Sequence, residues 1–284
     1  MDEILKILDS FDPISLEEMN EVKLLNRVDT KFTFNISYLP GILKALVSDY
    51  RILSFGDIRT NHYETLYYDT KDFNLFRQHQ CGKLNRYKVR YRCYKDTDVT
   101  FFEVKFKSNK SRTLKQRFRM YGIEEQLSEE TKRFVLKKST INPDTLLARL
   151  WVKYKRITLV NKSSRERLTI DLNLTYESNG KTVSYPNLVI AELKQDKSTK
   201  SFFALLMRDI HIPRVSISKY CFGIYSVYDN IRINNFKPKF RIVKKSHHDT
   251  IKISFSSAIV VMLSCTRTTG HRPDQCQPGN IYYG

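Results

Sequence analysis

The chain has 284 residues, with 49 Lys and Arg against 30 Asp and Glu, and its net charge of +19 goes well beyond what solubility requires. That excess points to a polyanionic partner, and the length suffices for one large domain or two small ones with a substantial core. Five scattered cysteines without a C-x-x-C pair exclude a zinc ribbon or a disulfide framework and fit a reducing compartment, and no apolar run reaches the ~18 residues of a membrane span.

In chain order, Met1-Asp2-Glu3 opens an amphipathic stretch without the basic and apolar regions of a secretory signal, so a cytoplasmic chain is predicted. Ser15 followed by Glu18 has capping-box spacing, and 38–48 carries apolar positions at helical intervals. Two-residue alternation marks eight strands near 27–35, 62–70, 86–95, 99–107, 111–119, 151–160, 165–171 and 188–195. Between and after them, helices are predicted over 128–138, from an Asn142-Pro143 cap through Ala148, over 199–210 and over 218–228. The fold class is α+β: a mostly antiparallel barrel or strongly curved sheet with flanking helices, over 1–235. Beyond 235 the composition changes. Lys244-Lys245, the run from Ile251 to Leu263 and Ser264-Cys265 resemble a lipoprotein signal in an internal place, but 236–284 is read as a loosely docked tail without assigned function, with His247 and His248 on the surface.

Residues two apart in a strand share a face, so the parity of the charges is informative. In Arg86-Tyr87-Lys88-Val89-Arg90-Tyr91-Arg92-Cys93 every even position is basic and every odd one aromatic or apolar. Glu103, Lys105 and Lys107 alternate with Phe102, Val104 and Phe106, and Lys115, Arg117 and Arg119 oppose Leu114 and Phe118. Arg27, Asp29 and Lys31 oppose Val28, Phe32 and Phe34; Arg165, Arg167 and Asp171 oppose Leu168 and Ile170; Glu192 and Lys194 alternate with Ala191 and Leu193. A solvated sheet face would mix signs and include Ser, Thr and Gln, whereas a face this basic, turned inward, calls for water or a polyanion between its charges. Glu103 and Glu192 suit either a divalent cation shared with phosphate or salt bridges to neighbouring cations. Tyr154 and Arg156 share a face and suit one anion, with a rim tyrosine as the alternative. P-loop, dinucleotide-binding and common zinc-hydrolase motifs are absent. Tyr87 and Tyr91 point away from Arg90 and Arg92, which disfavours nucleic acid, since bases stack on aromatics that share the cationic face.

From Leu24 to Tyr228 the chain resembles the VTC domain, the catalytic domain of the vacuolar transporter chaperone polyphosphate polymerase, within the CYTH-like triphosphate tunnel superfamily. The resemblance is carried by Arg27-Val28-Asp29-Thr30-Lys31-Phe32, Tyr67-Tyr68-Asp69-Thr70, Lys88-Val89-Arg90-Tyr91-Arg92, Phe102-Glu103-Val104-Lys105, Arg165-Glu166-Arg167-Leu168-Thr169-Ile170-Asp171, Ala191-Glu192-Leu193-Lys194 and Ser218-Lys219-Tyr220, in shared order and spacing. It implies an eight-stranded antiparallel β-barrel that grips a triphosphate, with flanking helices. ATP and inorganic polyphosphate are the implied ligands and Mn2+ or Mg2+ the implied cofactor. Carried over by motif, Lys31, Arg90, Arg92, Arg156 and Arg167 are catalytic candidates, with Lys31 closest to the transferred group. Lys105, Lys115, Tyr154, Ser218 and Lys219 bind phosphate, and Glu192 holds the metal. Asp29 stands where the family often has Glu, and Ser216 where it has Lys. The implied activity is ATP-dependent polyphosphate polymerisation, with a triphosphatase and a non-catalytic polyphosphate sensor as alternatives, the last favoured by Ser216. Without a recognisable SPX domain or membrane helices of its own, the chain looks like a stand-alone, bacterial-type member, and a membrane-protein partner stays open.

Overall fold

A computed structural model describes residues 2–21, 27–110, 113–196, 200–229, 231 and 234–248. The Ile251–Leu263 run and Ser264-Cys265 lie outside the described residues, as do the side chains of Arg27, His247 and His248. The elements are α1 (Asp2–Asp9), β1 (Asp12–Ile14), α2 (Leu16–Glu21), β2 (Arg27–Asn35), α3 (Leu39–Leu46), β3 (Tyr50–Leu53), β4 (Asn61–Thr70), α4 (Asn74–Gln80), β5 (Arg86–Tyr94), β6 (Val99–Lys107), β7 (Thr113–Met120), α5 (Glu129–Lys138), β8 (Leu146–Asn161), β9 (Glu166–Ser178), β10 (Lys181–Tyr185), β11 (Leu188–Asp196), α6 (Phe202–Asp209), α7 (Lys219–Val227) and α8 (Lys237–His248).

The eight alternating segments are the eight strands of one antiparallel path, β2-β11-β9-β8-β4-β5-β6-β7, with β3 and β10 attached at β8 and β9 and β1 paired parallel to β3. The expected closed barrel is not seen among the described residues: β2 and β7 end the path and do not pair. The free edge of β2 is already occupied, because Arg214 bridges Phe32 and the Val215 N–H donates to the Lys31 carbonyl at 2.8 Å. At Lys31 and Phe32 the edge therefore has no ladder to offer another strand.

One face of the β4–β6 region packs Leu66, Tyr68, Val89, Tyr91, Phe102 and Val104 against Val135 of α5. On the opposite face, Tyr63, Tyr67, Leu150, Val152, Leu174 and Tyr176 receive α7 through Tyr220, Phe222 and Ile224. Two bulges make this possible. Between Lys153 and Lys155 the β8–β9 register slips at Asn173, whose φ is 52°, so β9 changes from presenting Thr169 and Asp171 on this face to presenting Leu174 and Tyr176. A second slip at Tyr67/Tyr68 sends Leu146 and Ala148 to the α5 side.

Helix starts follow the sequence closely where a capping side chain is present. The Ser15–Glu18 capping box closes in both directions, at 2.9 and 3.2 Å, and Ser201 and Ser218 cap α6 and α7. The helix expected from Asn142 to Ala148 is a correction: Asn142 accepts from the Asp144 amide, but the turn covers only Pro143–Thr145, and β8 begins at Leu146 because residues 146–148 pair with the end of β4. Phe236, Phe240 and Val243 are buried beside α7. Among the described residues no helix is long and apolar enough to cross a membrane.

Candidate anion-binding site

Residues opposite one another in an antiparallel pair share a face, so register decides where the charges gather. Lys31 lies opposite Glu192, and Lys194 opposite both Asp29 and Arg167. Arg156 lies opposite Asp171 and Asn61, Tyr154 opposite Tyr63, and Arg92 opposite Thr65. Arg90 lies opposite Tyr67 and Glu103, and Lys105 opposite Lys88 and Lys115. All share one face, which continues across eight strands from β2 to β7.

Three carboxylates on this face each hold two cations. Asp171 is fully buried and receives Arg156 in a bidentate pair at 2.6 and 2.9 Å, together with the Lys219 ammonium. Glu103, also fully buried, pairs with Arg90 at 2.5 Å and Lys115 at 3.3 Å. Glu192 meets Lys31 at 3.3 Å and Lys194 at 3.4 Å, in both cases through Oε1. Burial alone would raise all three acids. Instead the Arg90, Arg92 and Lys115 charges hold Glu103 well below the usual carboxylate range, Lys194 and Lys31 do the same for Glu192, and Arg156 and Lys219 lower Asp171.

The remaining cations crowd one another. Arg90, with burial and Arg92 adding to it, pulls the Lys105 ammonium well below its ordinary value, and burial lowers Lys88. Burial, with Arg156 and Lys31 behind it and Glu192 opposing, brings Lys194 down to about 8. Aromatic faces relieve part of this repulsion. Tyr63 and Tyr154 stack at 5.1 Å, with Arg156 4.9 Å from the first ring and Lys219 5.0 Å from the second. The hydroxyl of Tyr154, the Nε of Arg92 and the Oγ1 of Thr65 are buried here without a partner among the described residues, which is the state expected of groups arranged for a bound ligand.

The N-terminus of α7 reaches across the face. From the β2 edge at Arg214 and Val215 the chain runs to Ser218, whose Oγ accepts from Lys88 on β5 at 3.0 Å, and to Lys219, which pairs with Asp171 on β9. The segment thus links β9 and β5, three places apart in the sheet.

The VTC domain family matches residues 26–228, most of the chain. The chain belongs to the VTC domain family. No curated protein matches it significantly. Solved structures with a similar fold include a protein from Vibrio parahaemolyticus provisionally assigned as an adenylate cyclase (11% identity, 68% of this chain and 96% of that one, TM-score 0.41). A Pyrococcus horikoshii protein (12%, 70% and 96%, 0.41) and a provisionally assigned adenylyl cyclase from Hippeastrum described as having a dominant triphosphatase activity (13%, 72% and 98%, 0.40) are similar to the same extent.

In this VTC domain the sequence-predicted residues converge unevenly. Lys31 and Glu192 meet directly; Arg156, Tyr154 and Lys219 gather around Asp171; Arg90 and Lys115 share Glu103; Arg92 lies opposite Thr65, and Lys105 between Lys88 and Lys115. Arg167 shares the face but donates to the Met19 carbonyl of α2 at 2.9 Å, and Lys115 is a rim residue, 37% exposed. Ser216 is exposed. Sequence reasoning left out Lys88 and Lys194, although strand parity placed both on the basic face, and gave Asp171 no role.

A divalent metal is the family's expected cofactor. Among the described residues no three His, Cys, Asp or Glu side chains gather into a cage. A hard cation held by one carboxylate and completed by substrate phosphates needs none. Glu192 fits that requirement, since its contacts to Lys31 and Lys194 both fall on Oε1, whereas Asp171 and Glu103 have both oxygens engaged by cations.

Proposed function

We propose that this VTC domain is a metal-dependent polyphosphate polymerase, transferring the γ-phosphoryl group of ATP to a phosphate or polyphosphate chain lying on the basic face. The observation that carries the reading is the extent of that face: cations continue from Lys31 on β2 to Arg117 and Arg119 on β7, an arc of roughly 34 Å at ordinary strand spacing, more than one triphosphate needs. The terminal oxygen of the acceptor chain attacks the γ-phosphorus, the bond to the β–γ bridging oxygen breaks, and ADP leaves with that oxygen's negative charge. The acceptor oxygen is already anionic near neutral pH. This matters because Glu103, Asp171 and Glu192, held as ionised carboxylates by their cations, are poor bases for activating water.

Phosphoryl transfer gains most from alignment and from neutralising the equatorial oxygens. Lys31, beside Glu192, is assigned to the transferred group. Arg90, Arg92, Arg156, Lys105 and Lys219 hold the chain, the Tyr154 hydroxyl and Ser218 donate to its oxygens, and Arg167 and Lys115 contribute charge from the sides. Mn2+ or Mg2+ bound through Glu192 would supply Lewis-acid polarisation of a phosphoryl oxygen. Nucleic acid is a poor fit, because Tyr63, Tyr67 and Tyr154 are buried in contacts with one another and with cations and leave no ring for a base to stack on. Lys31→Ala is expected to slow the transfer of phosphate from ATP into acid-insoluble chains by about a hundredfold in the presence of Mn2+. An unchanged rate would remove Lys31 from the reaction, and tighter binding of single-stranded DNA than of polyphosphate at fixed salt would overturn the ligand assignment.

A further inference from the structure

The Tyr67-Tyr68-Asp69-Thr70 and Ser218-Lys219-Tyr220 motifs meet under the first turn of α7, on the side of the sheet that carries the phosphate-binding face, at a fully buried carboxylate that touches no cation among the described residues. Asp69 ends β4. Its Oδ1 accepts from the amides of Thr70 and Leu75 at 2.7 and 2.8 Å, and its Oδ2 from the amide of Phe76 at 2.8 Å and from the Tyr220 hydroxyl. A carboxylate offers about four lone-pair sites and no donor, so four donors saturate it, whereas an amide in its place would turn an NH2 toward them. Tyr220 is the second residue of α7, immediately after Lys219, and its ring lies 4.9 Å from that of Tyr67, whose hydroxyl accepts from Arg90 at 2.9 Å.

Phe222, Ile224 and Val227 seat α7 through apolar contacts, which are not directional, and its hydrogen bonds through Ser226 to Tyr185 and through Tyr228 to Arg149 and Ser178 lie at its C-terminal end, away from the first turn. The bond from Tyr220 to Asp69 is directional and sits one residue from Lys219. We propose that Asp69 and Tyr220 are positioning residues, a buried latch that sets the first turn of α7 so that Ser218 reaches Lys88 and Lys219 reaches Asp171 over the basic face. This rests on that face being the phosphate site.

The test is calorimetric titration of the full chain with tripolyphosphate, in a cycle of wild type, Tyr220→Phe, Lys219→Ala and the double variant. Tyr220→Phe keeps the ring and removes the hydroxyl, and is expected to weaken binding about fivefold to tenfold. In the Lys219→Ala background the same change should add less than about twofold, because what the latch positions is already gone. Tyr228→Phe removes a hydroxyl from the other end of α7, where it bonds the Arg149 carbonyl and Ser178, and should lower Tm without moving the affinity. Asp69→Asn, run through the same cycle, is the second variant should Tyr220→Phe not fold. Wild-type affinity in Tyr220→Phe, or an equal penalty in both backgrounds, overturns the latch. A wild type that does not take up tripolyphosphate overturns the proposed function instead.

Discussion

Lys194 is a cation on the basic face whose charge changes within reach of neutral pH. It is mostly buried, faces Arg167 and Asp29 across the strands, and shares Glu192 with Lys31. Its ammonium, brought down to about 8 from an ordinary lysine value, is largely charged at pH 7 and largely neutral at pH 9. A polyanion favours the charged form, so above pH 8 binding must take up a proton. Tripolyphosphate affinity is therefore expected to fall as pH rises from 7 to 9, by up to about tenfold per unit once Lys194 is neutral. In Lys194→Arg the dependence should flatten, because arginine stays protonated throughout. Calorimetry in two buffers of different ionisation enthalpy measures the proton uptake directly. At the same scale, Glu192 and Glu103 have the same depressed ionisation but different pairing: the contacts of Lys31 and Lys194 to Glu192 both fall on Oε1, whereas Arg90 and Lys115 occupy both oxygens of Glu103. Sequence parity put both acids among cations and left metal and salt bridge open for each, because parity ranks faces, not individual oxygens.

Among the elements, α7 and the strands beneath it decide whether the face becomes a site. Gly223 lies against the sheet so closely that a Cβ there would meet Leu150 at 2.6 Å and the Tyr176 ring closer still. Gly223→Ala is expected to destabilise the domain by about 1–3 kcal/mol, measured by denaturant titration, because the helix must lift or the rings must turn. The eight strands of the main path were legible in the sequence because each alternates cleanly, β5 most of all, and their parity located the basic face. The two bulges were not legible. A slip of one residue exchanges the faces of everything beyond it, which is how Leu174 and Tyr176 come to lie beside Asp171's face under α7, and no alternation count registers a slip. Short elements such as β1, β3 and β10 escaped because three to five residues carry too little pattern. The predicted helix through Ala148 failed because its cap is real but strand pairing takes over at Leu146.

For the whole molecule, an excess of 19 positive charges would be a liability if it were spread over a solvated surface. Many of the cations instead share one sheet face, partly offset by three acids and a stacked pair of tyrosines, and under the proposed function that face receives a chain of like negative charges. Closure of the sheet into a barrel was expected from the resemblance, but it depends on what pairs with β2, and the Arg214–Val215 segment that does so has no strand pattern of its own. The most direct measurement is a phosphorus NMR time course of the purified protein with ATP and Mn2+. The account predicts that ADP accumulates in step with the resonance of internal phosphates of a growing chain, with little orthophosphate. Orthophosphate appearing in step with ADP, without internal phosphates, would contradict it and make the domain a triphosphatase.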